Sequence, residues 1–302
     1  MRGAATLGAM RLLAVLVAVG VATGATVVVA RERQDVLPSP DASTRAPPED
    51  PLPPPDVALP RVPSALAATL SDTTRRLRVA IGRWGGAGTV PRDVTLLALH
   101  QQRMLRLMTA RRTLGDATLA RLPRDVRGEA RATLLARRDL AAIPRSPGRL
   151  LRVRVAKAAP AAELRRYYAE AQRRFGIEWS VLASINFIES AFGRVRSASE
   201  AGARGPMQFL PATWRRYGMG GDIDDPRDAI LGAANYLRRA GAAHDLDRAL
   251  FAYNHSTRYV RAVRRFAARM RIDDRAFFSY YAWQVYVRTP AGVRRLTGPG
   301  RD

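Results

Sequence analysis

Ten of the 20 prolines of this 302-residue chain fall between Pro38 and Pro63. Runs such as Pro51-Leu52-Pro53-Pro54-Pro55 favour extended polyproline II and cannot pack a core. Any fold must therefore be built from the residues after Pro63. Residues 31–63 read as a linker. At about 3.1 Å per residue the stretch from Pro38 to Pro63 could reach roughly 80 Å, to hold a domain off a membrane or as a spacer of no tuned length. Before it, an uncharged apolar run from Leu12 to Ala30 follows Arg2 and Arg11. At about 1.5 Å per residue it spans about 28 Å, enough for a bilayer core. Residues 1–30 thus read as a signal peptide or membrane anchor. Ala22, Gly24 and Ala30 leave cleavage open. The flanking charges favour an inside N-terminus with the rest of the chain outside. The expected localisation is the cell envelope: exported, and either anchored by residues 12–30 or secreted after cleavage.

The chain has no cysteine, which excludes a disulfide framework, a thiolate nucleophile and Cys-based metal sites. Its three histidines, His100, His244 and His255, are far apart, and no H-E-x-x-H, P-loop or G-x-G-x-x-G occurs. The net charge is +24 and almost wholly arginine, since Lys157 is the single lysine. Residues 64–158 carry +14 and residues 159–302 carry +10. Such a chain adheres to polyanions, unless the arginines reflect only composition and solvated helix faces. Export argues against nucleic acid as the partner.

Residues 64–158 read as a helical accessory region, with helices from Arg92 to about Thr113 and from about Asp125 to Leu140. His100 reads as a packed or surface histidine. Arg152-Val153-Arg154-Val155 alternates like a short strand. Helices are expected at about Ala161–Phe175, Trp179–Ala191, Ala212–Tyr217, Arg227–Ala240, Asp247–Tyr253 and Arg258–Met270. Asp225-Pro226 is a start signal, an N-cap followed by proline at the first helical position. Gly176, Gly193, Gly218 and Gly241 stand where helices should stop. Residues 276–302 form an aromatic C-terminal extension, with Phe277, Phe278, Tyr280, Tyr281, Trp283 and Tyr286 read as core. Strands at Trp283–Val287 and Val293–Leu296 would make a small β-hairpin.

One helix carries a candidate for chemistry. Val181, Ile185, Ile188 and Phe192 form its buried stripe, with Leu182, Asn186 and Glu189 beside it. Glu189 falls in the last turn, next to Ser190. Apolar walls and the helix C-terminus push its carboxyl toward the protonated form, which suits a general acid. Three further pieces follow in order: Gly202-Ala203-Arg204-Gly205-Pro206-Met207-Gln208-Phe209-Leu210-Pro211; Asp225-Pro226-Arg227-Asp228-Ala229-Ile230 with Ala234-Asn235-Tyr236-Leu237; and Ala249-Leu250-Phe251-Ala252-Tyr253-Asn254-His255-Ser256 with Tyr259-Val260. Their order and spacing resemble the bacterial lytic transglycosylases, the lysozyme-like SLT domain, over about residues 160–271. The Phe-Leu-Pro and Tyr-Asn-His-Ser versions look most like exported cell-wall enzymes of actinobacteria. The resemblance implies a mainly α fold, with a lysozyme-like catalytic domain over residues 159–275 preceded by the accessory region.

The resemblance further implies a single catalytic acid/base, matched by Glu189. It would protonate the glycosidic oxygen between N-acetylmuramic acid and N-acetylglucosamine. It would then deprotonate the muramyl 6-hydroxyl, which closes onto C1 and leaves a 1,6-anhydro end. Ser190 would contribute hydrogen bonds near the acid. Gln208 matches a substrate contact, Tyr253 a tyrosine whose hydroxyl lies near the carboxyl, and Asn254 its neighbour in the groove. His255 stands where glycine or alanine is common. One glutamate can serve as acid and then base, and an intramolecular nucleophile has a high effective concentration. Amide side chains can read acetamido groups. Each residue also has a structural reading: Gln208 as a loop brace, Tyr253 as a packed tyrosine, Asn254 as a helix cap.

Asp222, Asp224 and Asp225 are similar to the calcium loop of some relatives. However, Pro226 takes its fifth position and Ala233 its twelfth, so neither a metal nor any other cofactor is expected. The partner expected is the peptidoglycan glycan strand, with the membrane added if the N-terminal segment stays uncleaved. Two other readings remain open. One is a lysozyme-type hydrolase of the inverting kind, which would want a carboxylate about 6.5–9.5 Å from Glu189 to activate water, a part Asp222 or Asp224 could supply. The other is a non-catalytic wall-binding module.

Overall fold

A computed structural model describes residues 51–144, 153–289 and 292–301. The N-terminal apolar run, most of the proline-rich segment and Arg152 lie outside the described residues. Among those described, eleven helices and one two-stranded sheet make up the fold, and no helix is long and apolar enough to cross a membrane.

Six helices open on a proline, as N-cap or at the first helical position. They are α1 (Pro63–Trp84), α2 (Arg92–Ala110), α4 (Arg124–Ala141), α5 (Ala161–Phe175), α7 (Pro211–Tyr217) and α8 (Pro226–Arg239). Proline's φ is already near the helical value, and the N–H it lacks would have no helical partner there. Asp225 caps α8 by accepting from the Asp228 N–H at 2.9 Å, as its position before Pro226 requires. Gly176 ends α5 in the left-handed conformation at φ 72°. The remaining helices are α3 (Arg112–Arg121), α6 (Trp179–Ser190), α9 (Leu246–Tyr253), α10 (Thr257–Ile272) and α11 (Arg275–Ala282).

The structure departs from the periodicity in three places. The helix expected to run from Arg92 to about Thr113 breaks at Arg111, and α3 folds back on the end of α2. There a Cβ on Gly115 would stand 2.4 Å from the Met108 carbonyl oxygen, so only glycine fits the approach. Helix α1 had no specific signal beyond general helical character. The expected strand at 152–155 is reduced to one bridge, Val155 to Val195. The hairpin is shifted, with β1 at Tyr286–Thr289 paired to β2 at Gly292–Arg295, and the aromatic run before it forms α11.

Helix α6 is the centre of the molecule, and ten of its twelve residues are buried. It packs against α10, α5, α8 and α11. The C-terminal aromatics close its far side. Phe187 stacks on Tyr280 at 5.2 Å and meets Trp283 at 5.8 Å, while Phe192 meets Phe277 at 5.4 Å. Those rings also join the accessory helices to α6, since α4 packs along α10 and α2 against α11. Polar ties reinforce the joint. The Gln102 side chain exchanges two 2.9 Å hydrogen bonds with the Gln284 backbone, and Thr133 bonds Tyr280 at 2.7 Å. Asp139 on α4 takes both Arg261 and Arg265 from α10. His100 is a packed histidine, its Nδ1 3.2 Å from the Thr73 hydroxyl.

Candidate active site

Glu189 occupies the last turn of α6 and is 0% exposed. The chain turns sharply just after it. Ala191, Phe192 and Gly193 are all left-handed, at φ 53°, 63° and 80°. The Phe192 N–H reaches back to the Asn186 carbonyl at 3.2 Å, and the Ala191 N–H to the Phe187 carbonyl at 3.0 Å, which closes the helix end. Two non-glycine residues in this region cost about 1–2 kcal/mol each. Buried packing of Phe192, 1% exposed against Phe277 and Tyr281, offsets that cost. Gly193, where the helix stop was expected, thus lies beyond the actual stop.

Ser190 is fully buried, and its hydroxyl is committed within the protein. It donates to the Pro206 carbonyl at 2.5 Å and accepts from the Gly193 N–H at 2.8 Å. This ties the end of α6 to the loop that carries Gln208. The loop is itself a tight turn, closed by paired hydrogen bonds between Arg204 and Phe209 at 2.8 and 2.9 Å. Gln208 sits in it at φ 50°, only 4% exposed, with its Nε2 donating to the Gly205 carbonyl at 3.0 Å. On the loop's outer side Gly205 lies against the 222–225 segment. A Cβ there would fall 1.8 Å from the Ile223 carbonyl oxygen, and Arg204 pairs with Asp224 at 2.7 Å.

Tyr253, at the end of α9, is also buried and donates to the Met207 carbonyl at 2.6 Å. It therefore holds the loop from below. The tyrosine that touches the carboxyl is Tyr259, whose hydroxyl donates to Glu189 Oε1 at 2.8 Å. Tyr259 stands in the first turn of α10, with its N–H 3.4 Å from the Ser256 hydroxyl that caps the helix. Sequence reasoning gave Tyr259 no role. Its spacing with Val263, Phe266 and Met270 reads as an ordinary core stripe, and all four are buried.

Burial pushes the Glu189 carboxyl up to about 8, against the opposing pull of the Tyr259 hydrogen bond. The other carboxyl oxygen, Oε2, has no hydrogen-bond partner. The site therefore holds a protonated acid with one oxygen fixed and the other uncommitted, as a general acid requires. The Tyr253 and Tyr259 hydroxyls are held well above the usual phenol value by burial and by the nearby Glu189, so both act as neutral donors. Asn254 is 4% exposed, and its side-chain Nδ2 has no partner.

The acidic segment is engaged locally. Asp222 accepts from the Asp224 N–H at 2.9 Å, and Asp225 caps α8. Among the described residues no three His, Asp or Glu side chains gather as a metal site would need. An open cleft of about 490 Å³, bordered by Arg154, Arg196, Arg204 and Asp224, runs along the outer side of the loop.

Residues 166–274 match the transglycosylase SLT domain family. Over 113 residues, 35% of this chain, the protein is 36% identical to the membrane-bound lytic murein transglycosylase F of Thiobacillus denitrificans. That alignment spans 24% of the relative, so the chain covers about a quarter of its length. No solved structure matches the chain. The matched stretch begins within α5 and ends just before α11, and so contains Glu189, the Gln208 loop, Tyr253 and Tyr259. Residues 166–274 of this mainly helical chain thus match the transglycosylase SLT domain family, and the chain is similar there to a bacterial lytic transglycosylase.

Proposed function

We propose that the protein is a peptidoglycan lytic transglycosylase in which Glu189 is the single acid/base. The observation that carries this reading is the buried, protonated Glu189 carboxyl, held on one oxygen by Tyr259, inside an SLT domain. The reaction follows from that state. Glu189 donates its proton to the β-1,4 glycosidic oxygen, and the N-acetylglucosamine portion leaves as an alcohol. The carboxylate so formed takes the proton of the muramyl 6-hydroxyl as that oxygen bonds to C1. The product end is 1,6-anhydro-N-acetylmuramic acid, Glu189 is again protonated, and no water is consumed. Tyr259 donates to the carboxylate during the step in which it is charged, when a hydrogen bond is worth most.

Gln208 and Asn254 would bind the sugar acetamido groups. Ser190 and Tyr253 would hold the loop that carries Gln208 and so position it. A water-activating carboxylate is not needed in this scheme. That suits the local engagement of Asp222 with backbone and of Asp224 with Arg204. The same reading sets the protein at the cell envelope, anchored by residues 12–30 or released after cleavage, with glycan strands as its partner. The SLT relative named as membrane-bound supports that location.

The test is mass spectrometry of muropeptides released from purified peptidoglycan by the full-length chain. Anhydro ends that disappear with Glu189→Gln support the reading. Hydrated reducing ends would make the protein a hydrolase, and binding without any product would make it a wall-binding module.

A further inference from the structure

A second cavity of about 40 Å³ lies behind α6, where the accessory helices, α10 and the C-terminal tail meet. Its walls include Arg137 and Leu140 from α4, Phe187 and Ile188 from α6, Phe266 from α10, and Trp283 from the tail. Phe187 lies about 200° round the helix from Glu189, so this cavity is on the opposite side from the active carboxyl.

The polar groups of the wall are unevenly satisfied. The Gln102 amide is spent on the Gln284 backbone, and the Gln284 amide is spent on Ala282 and Thr297. Two fully buried groups of the wall remain without a partner, Arg137 Nη2 and Trp283 Nε1, and both are donors. Arg137 is 3% exposed and makes one hydrogen bond, from Nε to the Thr109 hydroxyl at 3.2 Å. No carboxylate among the described residues pairs with it.

Charge accumulates around the same place. Tyr286, another wall residue, lies under the Arg106 guanidinium at 3.8 Å, and Arg103 and Arg295 also face it. Arg103 Nη1 and Arg295 Nη1 are buried and unpartnered. Among the described residues, the carboxylate set against Arg103 and Arg295 is Asp56, which is largely exposed and reaches Arg295 at 3.4 Å. Burial pushes Arg137 down to about 10. A buried cation without a counter-charge is costly, and a cavity whose fully buried, unpartnered groups are both donors calls for an acceptor that carries negative charge.

We propose that this cavity binds a small monocarboxylate, one oxygen taking Arg137 Nη2 and the other Trp283 Nε1, with the short apolar body against Phe187, Leu140 and Phe266. The space equals about three waters, which fits an acid the size of formate or acetate. The site bridges the accessory helices and the back of α6, so the ligand would fasten the two together.

The experiment is calorimetric titration of the full-length protein, in detergent and at fixed ionic strength, with formate, acetate and chloride in turn. A saturable, one-to-one heat is expected for formate or acetate and none for chloride. With acetate at about ten times its Kd, the unfolding midpoint should rise by about 3 °C. Arg137→Gln should abolish the titration. Trp283→Phe, which keeps the ring packing and removes one donor, should weaken Kd about tenfold. Should Arg137→Gln fail to fold, the wild-type protein and Trp283→Phe decide the matter. The proposal is overturned if no carboxylate gives a saturable heat, if chloride binds equally well, or if Trp283→Phe binds as the wild type does. Neither side chain touches Glu189, so these outcomes leave the transglycosylase reading untouched.

Discussion

The Tyr259 hydroxyl donates to Glu189 Oε1 across 2.8 Å, joining the first turn of α10 to the last turn of α6. Burial holds the carboxyl near 8, and this bond lowers it from where burial alone would set it. The two effects oppose each other. Removing Tyr259's hydroxyl must therefore raise the carboxyl's value further. Since the acid works while protonated, activity should hold below about pH 8 and fall above it in the wild type. In Tyr259→Phe the alkaline limb should move up by about one unit, while the rate falls roughly tenfold through loss of the charged-state hydrogen bond. A pH–rate profile of both proteins checks the pair. A purely structural Tyr259 would lower the rate without moving the limb.

The same burial has a consequence for stability. The folded value of about 8 lies above the value of about 4.3 expected in the unfolded chain. Between these limits the folded protein keeps a proton that the unfolded chain has released. This contribution is complete below about pH 4 and is lost as pH rises through about 8. Glu189→Gln cannot ionise and escapes the loss. Its unfolding free energy should exceed the wild type's by an amount that grows from about pH 5 to about pH 8, on the order of 2–5 kcal/mol at the upper end. Parallel denaturant titrations at the two pH values measure it. A constant difference would mean that Glu189 is not held protonated.

Ser190→Ala should act on the loop that carries Gln208. The change leaves the Pro206 carbonyl and the Gly193 N–H without their partner. A loss of about 1–3 kcal/mol is expected. Turnover should fall as well, although Ser190 does not reach Glu189 by a hydrogen bond. Thermal unfolding and muropeptide release together check both effects.

Much of this was legible in the sequence, where local signals agreed with the tertiary structure. Asp225-Pro226 marked the start of α8 because capping and a preset φ are properties of two adjacent residues. Glu189's displaced carboxyl followed from its position beside an apolar stripe at a helix C-terminus. What could not be read depended on contacts between distant segments. Tyr259 carries the same spacing as its core neighbours, and only the crossing of α10 on α6 sets its hydroxyl against a carboxyl 70 residues away. The break at Arg111 has a comparable origin, since it depends on how closely Gly115 approaches Met108. The tail's aromatics were recognisable as core, but only the packed structure shows that they seal the back of α6 against the accessory helices.

Gly205→Ala tests how the loop is seated. The new methyl group would collide with the Ile223 carbonyl oxygen, and the φ of +74° already disfavours any side chain. The loop must then leave the 222–225 segment, with a loss of about 3 kcal/mol or more. The Arg204–Asp224 pair should part with it. Denaturant unfolding gives the loss, and a drop in kcat would link the seating of this loop to catalysis.

The most direct test of the central claim is the chemical nature of the released ends. Purified peptidoglycan is incubated with the full-length wild type and with Glu189→Gln, and the muropeptides are weighed. The wild type should release ends lighter by one water, the 1,6-anhydro form, and the variant none. Hydrated reducing ends, or anhydro ends still produced by Glu189→Gln, would contradict the claim.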